Sequence, residues 1–363
     1  MYAPRDLRFV AISLQHSGND ARYSTNSCTS ILSSMSRPRN LPLALAAVGA
    51  AAAAITAVRL LRPAAIPECP VVIITGGSRG LGYAIASRFA REGARLVLAA
   101  RSRAGLEQAQ AKLLAEHPHM LPEDFFLVTA DLSDPAACAH LILEAMRRFS
   151  RIDILVNNAG IIGVGPLEAQ PLEAFEAAMR INFFAALYTT YAALPHMMAQ
   201  LPTAGRRASI VNIASIGGKL AVPHMLPYSA AKFALVGFSE GLHAEVRGSG
   251  VRVTTVCPGL MRTGGEDHVK FVGNAFEEAR WFKFAAKTRG LSASADYAAN
   301  RIYEAVKTGR AEITITPQAW LAARFAGLAP ETTQRINSLV NDWVLPVAPT
   351  NRAAELEVVA SPS

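Results

Sequence analysis

From residue 70 onward the chain alternates between two hydrophobic patterns. Short, mostly apolar runs fall at residues 71–74, 94–100, 124–129, 152–156, 208–213, 251–256 and 312–316. Between them lie longer stretches, at 81–89, 105–116, 136–149, 172–195, 228–246 and 295–307, in which apolar residues return every three or four positions. A brief run without a polar face marks a strand covered on both sides, and the 3.6-residue recurrence marks a helix with one buried stripe. Strands alternating with helices predict an α/β domain in which a doubly wound parallel sheet carries helices on both faces.

The first run leads directly into a glycine turn, Thr75-Gly76-Gly77-Ser78-Arg79-Gly80-Leu81-Gly82. Glycine permits positive φ and lets backbone approach a ligand with no Cβ in the way. The helix that follows would present free N–H groups and a positive dipole end to a pyrophosphate. Strand, glycine turn and helix open a dinucleotide-binding unit, although Gly76-x-x-x-Gly80-x-Gly82 departs from the usual G-x-G-x-x-G spacing. The second strand ends Ala99-Ala100-Arg101, without the carboxylate that takes a ribose 2′-hydroxyl. Arg101 and Arg79 put two cations where a 2′-phosphate would sit, which predicts NADP(H) over NAD(H).

Further polar positions close the strands. Asp131-Leu132 follows the third; the carboxylate could meet an adenine amino group or cap the next helix. Asn157-Asn158-Ala159-Gly160 ends the fourth, its small residues suited to close cofactor approach and its amides to tying neighbouring strands. Asn182 lies mid-helix among apolar residues and needs a partner. Ser215 follows the fifth strand, where it could hold a reacting oxygen. Tyr228 and Lys232 are four apart and share one helical face. A nearby ammonium and a cationic nicotinamide would lower the phenol pKa and let Tyr228 exchange a proton with a carbonyl or alcohol oxygen.

In order and separation these motifs, with Pro258-Gly259-x-x-x-Thr263, resemble the short-chain dehydrogenase/reductase family in its classical, NADP-preferring form. The likeness runs over about residues 71–316, and Ser215 and Tyr228 stand 13 residues apart, as is usual there. The resemblance implies a Rossmann-type sheet of seven parallel strands and a catalytic tetrad of Asn182, Ser215, Tyr228 and Lys232. In it Tyr228 is the general acid or base, Ser215 orients the reacting oxygen, Lys232 binds the nicotinamide ribose, and Asn182 holds a water. It further implies cofactor contacts from Gly76, Ser78, Arg79, Gly80, Leu81, Gly82, Arg101, Asp131, Leu132, Asn158, Ala159, Gly160, Tyr228, Lys232, Pro258, Gly259 and Thr263, with no metal. The expected activity is hydride transfer between NADP(H) and a carbonyl/alcohol group of an apolar, lipid-like substrate, by a homodimer or homotetramer. Two alternatives stay open: a non-catalytic dinucleotide-binding or regulatory protein, and an epimerase or dehydratase on the same scaffold.

Composition and charge narrow the setting. With 363 residues and 51% apolar residues the chain can bury a substantial core, which excludes wholesale disorder. A net charge of +8 raises the question of nucleic acid, but no basic run with interleaved aromatics accompanies it, so none is expected. Cys28, Cys69, Cys138 and Cys257 lack metal-ligand spacing and read as reduced thiols.

Residues 1–40 are polar and read as a disordered leader; 41–61 are apolar, with 18 uncharged residues from 41 to 58. As a helix those 18 would span about 27 Å. Arginines flank them on both sides and set no orientation. Three readings remain for this stretch: a membrane anchor with the catalytic domain facing the cytoplasm, a cleaved targeting segment, or an alanine-rich soluble helix or non-native leader of a cytoplasmic protein. A start at Met35 would leave residues 1–34 outside the working protein. Residues 62–69 read as a linker, 70–316 as the catalytic domain, 317–346 as a helical extension and 347–363 as a disordered tail. The extension is expected to cover the pocket, a subunit interface or a membrane surface. The aromatic-rich stretch 270–287 suits a substrate lid, a membrane-facing surface or ordinary packing.

Overall fold

A computed structural model describes residues 67–200, 207–288 and 292–347. At its centre seven strands form one sheet: β1 (Val71–Thr75), β2 (Arg95–Ala100), β3 (Phe125–Thr129), β4 (Ile154–Asn157), β5 (Ala208–Ile213), β6 (Val251–Cys257) and β7 (Glu312–Thr314). Their order is β7-β6-β5-β4-β1-β2-β3, and every neighbouring pair is parallel. The strand order reverses between β1 and β4, and a crevice opens beyond the carboxyl ends of strands at such a switch point.

The helices are α1 (Gly80–Ala90), α2 (Arg103–Glu116), α3 (Pro135–Phe149), α4 (Leu172–Met179), α5 (Ala185–Ala199), α6 (Leu226–Val246), α7 (Ala275–Lys287), α8 (Ala295–Thr308), α9 (Pro317–Leu328) and α10 (Pro330–Trp343). All of β1 is buried, and its side chains alternate between two cores. Val72 and Ile74 join Ile85 and Phe89 of α1, Leu106 of α2 and Ile302 of α8. Val71 and Ile73 join Leu141 and Ile142 of α3 and Met197 of α5. This double burial explains why the strand reads as an uninterrupted apolar run.

Local chemistry sets the element ends. Ser102 caps α2 by accepting from Gly105 N at 3.1 Å, and Asp134 caps α3 by accepting from Ala136 N at 2.9 Å, with Pro135 as first helical residue. The cap of α3 is therefore Asp134 and not Asp131. The long helix expected over 172–195 is instead two helices, α4 and α5, joined by a π turn at Arg180–Phe184 that contains Asn182.

The extension forms a helical hairpin, α9 and α10. Asn337 Nδ2 donates to Ala221 O at 2.9 Å, which sets α10 against the loop ahead of α6. The hairpin exposes Leu328 and Trp343, each more than four-fifths accessible. Among the described residues no helix is long and apolar enough to cross a membrane. The apolar stretch 41–61 and residues 1–40 lie outside the described residues, as does all of the tail beyond Val347. Cys69, Cys138 and Cys257 are free thiols.

Candidate active site

The site begins where β1 and β4 end. Thr75 Oγ1 accepts from Asn158 N at 2.9 Å and Ala159 N at 3.0 Å, and donates to Val156 O at 3.3 Å. Asn158 Nδ2 returns bonds to Thr75 O and Gly76 O at 2.9 and 3.3 Å. The two strand ends are thus laced, as the paired asparagines suggested. Asn157 ties β4 to β5 through Asn212 Oδ1 at 2.9 Å, and to α5 through Thr190 Oγ1 at 3.0 Å. Gly76 has φ +66°, and a Cβ on Gly82 would stand 2.2 Å from Gly76 O, so the turn admits no side chain there.

This lacing leaves a cleft of about 810 Å³ at the switch point. Every expected cofactor residue lines it except Tyr228, Lys232, Pro258 and Gly259. Pro258 and Gly259 sit behind the wall for a packing reason. Pro258 O accepts from Ile216 N at 2.7 Å, while a Cβ on Gly259 would meet Thr316 Oγ1 at 2.6 Å, so the glycine makes room for the start of α9. Sequence reasoning missed Ile161, Ile162, Ile181, His268 and Val269 in the lining. These apolar and loop positions carry no signal of their own; only the fold brings them together.

The residues fit a dinucleotide. The first turn of α1 has no side-chain cap and no acidic residue, so its N–H groups face the cleft with their charge uncompensated. A Cβ on Gly160 would lie 2.7 Å from Asn182 Oδ1, so this wall is bare backbone. Arg79, Arg101 and Ser102 line the cleft where β2 ends, and no carboxylate follows Ala100. Arg79 Nη1 donates to His268 Nε2 at 2.8 Å. Asp131 accepts from Ser133 N and Ser133 Oγ, and these bonds, helped by the charge of Arg101, hold its carboxyl below the usual range.

Two residues of the expected tetrad stand directly behind the cleft wall, where a Cβ on Gly160 would lie 2.7 Å from Asn182 Oδ1 and 3.8 Å from Lys232 Nζ, and Ser215 and Tyr228 adjoin them. Ser215 caps a short 3₁₀ turn, Ile216–Gly218, that lies against α6. A Cβ on Gly217 would be 3.2 Å from Tyr228 Cε1, and one on Gly218 would be 2.5 Å from Lys232 O. Two glycines in succession therefore let the Ser215 turn approach the helix that carries Tyr228 and Lys232. The Lys232 Nζ stands 5.7 Å from the Tyr228 ring centroid and donates to Ile213 O at 2.8 Å. Asn182 is 1% exposed and grips Ile161 twice, donating to its O at 3.0 Å and accepting from its N at 2.9 Å. The two bonds use one N–H and one lone pair of the Asn182 amide and fix its side chain against the Ile161 backbone.

Burial raises the Tyr228 phenol above its ordinary value, and interaction with the Ser215 hydroxyl pulls it back only in part. Burial also brings the Lys232 ammonium down to about 8.

Beyond Tyr228 the surroundings are apolar. Ile162, Val222, Val269, Phe271 and Trp281, all partly exposed, pack with Tyr228 around buried Val164, Met225 and Phe282. Ile162 and Val269 also line the cleft, so the two regions are continuous.

A parallel sheet in this order, with a bare glycine cleft at its switch point, defines a Rossmann-type dinucleotide-binding protein. Comparison gives the family. Residues 70–270 match the family model described as short chain dehydrogenase, and the chain belongs to that family of oxidoreductases. It is 34% identical over 253 residues to a "Dehydrogenase/reductase SDR family protein 7-like" of Anopheles gambiae, covering 70% of this chain and 77% of that one. It is 36% identical over 196 residues to 2-(R)-hydroxypropyl-CoM dehydrogenase of Xanthobacter autotrophicus, covering 53% and 75%. Among solved structures, a short chain dehydrogenase/reductase from Burkholderia phymatum in complex with NAD matches with TM-score 0.66 and 26% identity, over 73% of this chain and 95% of that one. Levodione reductase matches with TM-score 0.61 and 28% identity, over 69% and 98%.

Proposed function

We propose that the protein is an NADP(H)-dependent oxidoreductase acting on a carbonyl/alcohol pair in an apolar substrate. The observation that carries this reading is the convergence of Ser215, Tyr228 and Lys232 where the glycine cleft meets an apolar cluster. In the reducing direction Tyr228 gives its phenolic proton to the carbonyl oxygen, and in the oxidising direction it takes one from the alcohol. Ser215 Oγ orients that oxygen. Lys232 holds the nicotinamide ribose, and Asn182 fixes the Ile161 backbone beside Gly160. The bound cofactor supplies or accepts the hydride, with no metal. Arg79 and Arg101 take the 2′-phosphate, which sets the preference for NADP(H).

The apolar character of the substrate is supported by the side chains around Tyr228. Assembly as a homodimer or homotetramer is supported by exposed Tyr191 on α5 and Phe233 on α6, apolar surfaces suited to contact with a second copy. Membrane attachment through residues 41–61 is supported by their 18 consecutive uncharged residues. Sedimentation with membranes through a high-salt wash tests the attachment, and complete release would overturn it.

The test of activity is a panel of hydrophobic ketones and alcohols followed by NADPH absorbance. Turnover that vanishes in Tyr228→Phe while NADPH stays bound supports the assignment. Full activity in that variant refutes the proton-transfer role.

A further inference from the structure

A buried polar chain fastens the aromatic helix α7 to the loop ahead of Tyr228. Glu278, in the first turn of α7, is 1% exposed. One of its oxygens pairs with His224 Nδ1 at 2.7 Å, and the other accepts from Trp281 Nε1 at 2.6 Å. His224 is also buried, and it holds a left-handed backbone with φ +61°, one turn before Tyr228. Its carbonyl accepts from Gly165 N at 2.8 Å.

Each of these features is unfavourable on its own. A buried carboxylate is tolerated only with both oxygens partnered, and a left-handed histidine adds backbone strain. Packing α7 on the domain needs neither, since Phe282 already supplies a buried apolar anchor. What the chain adds is direction. It sets the indole of Trp281 and the turn of His224 relative to one another. Trp281 contacts Phe282 edge-on at 5.8 Å, and Phe282 contacts Phe271 at 5.9 Å, within the same cluster that holds Tyr228. The short ladder of Gly163–Val164 with Lys270–Phe271 closes the remaining side.

We propose that Glu278 is a specificity-determining positioning residue: through Trp281 and His224 it fixes an aromatic wall beside Tyr228 that selects bulky apolar substrates. This rests on the carbonyl/alcohol reading of the site. Glu278 contacts no reacting atom and acts only through the two side chains it holds. Truncation should therefore loosen the wall without altering proton transfer or cofactor binding.

The experiment compares a fused-ring ketone with a short aliphatic ketone, each at saturating NADPH, in the full chain. Glu278→Ala should raise KM for the fused-ring ketone about tenfold, with kcat within about twofold. KM for the short ketone and the Kd for NADPH should not change. Glu278→Gln, which can still accept from the indole, should restore most of the selectivity. Trp281→Phe should reproduce the loss, and it stands as the deciding variant if Glu278→Ala does not fold. An unchanged selectivity ratio, or a parallel loss of NADPH affinity, overturns the proposal. If wild type turns over no member of the panel, the functional reading fails separately. The clamp is then read by amide hydrogen exchange over residues 275–287, where Glu278→Ala should exchange at least tenfold faster than Glu278→Gln; equal rates overturn it.

Discussion

Lys232 Nζ donates to the carbonyl of Ile213 across 2.8 Å, from α6 to the last residue of β5, and only 4% of the lysine is exposed. One carbonyl is thin compensation for a buried cation, and desolvation lowers the ammonium to about 8 from 10.5. The unfolded chain keeps this proton up to about 10.5, so between the two values unfolding takes up a proton. The contribution of Lys232 to stability therefore rises with pH across that window. Below it, the folded protein carries the full cost, roughly 3 kcal/mol by the free-energy equivalent of the shift. Urea denaturation at pH 7 and pH 9.5 should show wild type gaining stability relative to Lys232→Met at the higher pH. Parallel pH dependence in the two proteins would contradict the burial argument.

The glycine pair of the Ser215 turn gives a steric prediction. Gly218→Ala places a Cβ 2.5 Å from a backbone oxygen that cannot swing aside, so the turn must move. We expect a loss of about 1–3 kcal/mol and a drop in turnover beyond tenfold as Ser215 leaves Tyr228. Gly237, on the same helix as Tyr228, has nothing within 4 Å of an added Cβ. Gly237→Ala should stabilise the protein by about 0.5–1 kcal/mol with turnover unchanged. Thermal melts of the two variants should shift in opposite directions.

Thr75 is a test of the lacing between β1 and β4. Thr75→Val keeps the shape but strands the amides of Asn158 and Ala159, both partly buried. The expected cost is about 2–4 kcal/mol, with weaker NADPH binding as the glycine turn loosens. Thr75→Ser retains the hydroxyl and should recover most of both. If valine and serine behave alike in denaturant melts, the hydroxyl is not what holds the strand ends.

The sheet was legible because double burial writes strands as apolar runs: β5 matches its expected span, and the other strands shift by one or two residues. The π turn around Asn182 was not legible, since 3.6- and 4.4-residue turns share the same apolar spacing over so short a stretch. Ser215, Tyr228 and Lys232 are singled out through the family resemblance, and the structure sets the Ser215 turn against the helix that carries the other two. Ile162 and Val269 could not be singled out, because they stand on loops that meet at the cleft only in three dimensions. The electrostatic setting of Tyr228 is only half legible for a related reason. Spacing reveals a neighbouring lysine, whereas desolvation depends on everything packed around the phenol.

The two arginines of the cleft should not be equivalent. Arg79 already donates to His268 and must give up that bond to meet a 2′-phosphate, whereas Arg101 stands beside Asp131 with only a charge–charge relation. Loss of a charge-assisted phosphate contact costs about 1.5–3 kcal/mol, or roughly ten- to a hundredfold in affinity. Arg101→Ala should therefore weaken NADPH binding by at least tenfold, and Arg79→Ala by less, because part of its contact is offset by the lost histidine bond. Neither should alter NADH affinity by more than about twofold, since NADH lacks the 2′-phosphate. Both arginines are exposed, so the NADPH advantage of wild type should shrink as salt is raised from 50 to 300 mM. Fluorescence titration of the two cofactors measures all of these at once, and equal affinity of wild type for NADPH and NADH would remove the phosphate from this end of the cleft.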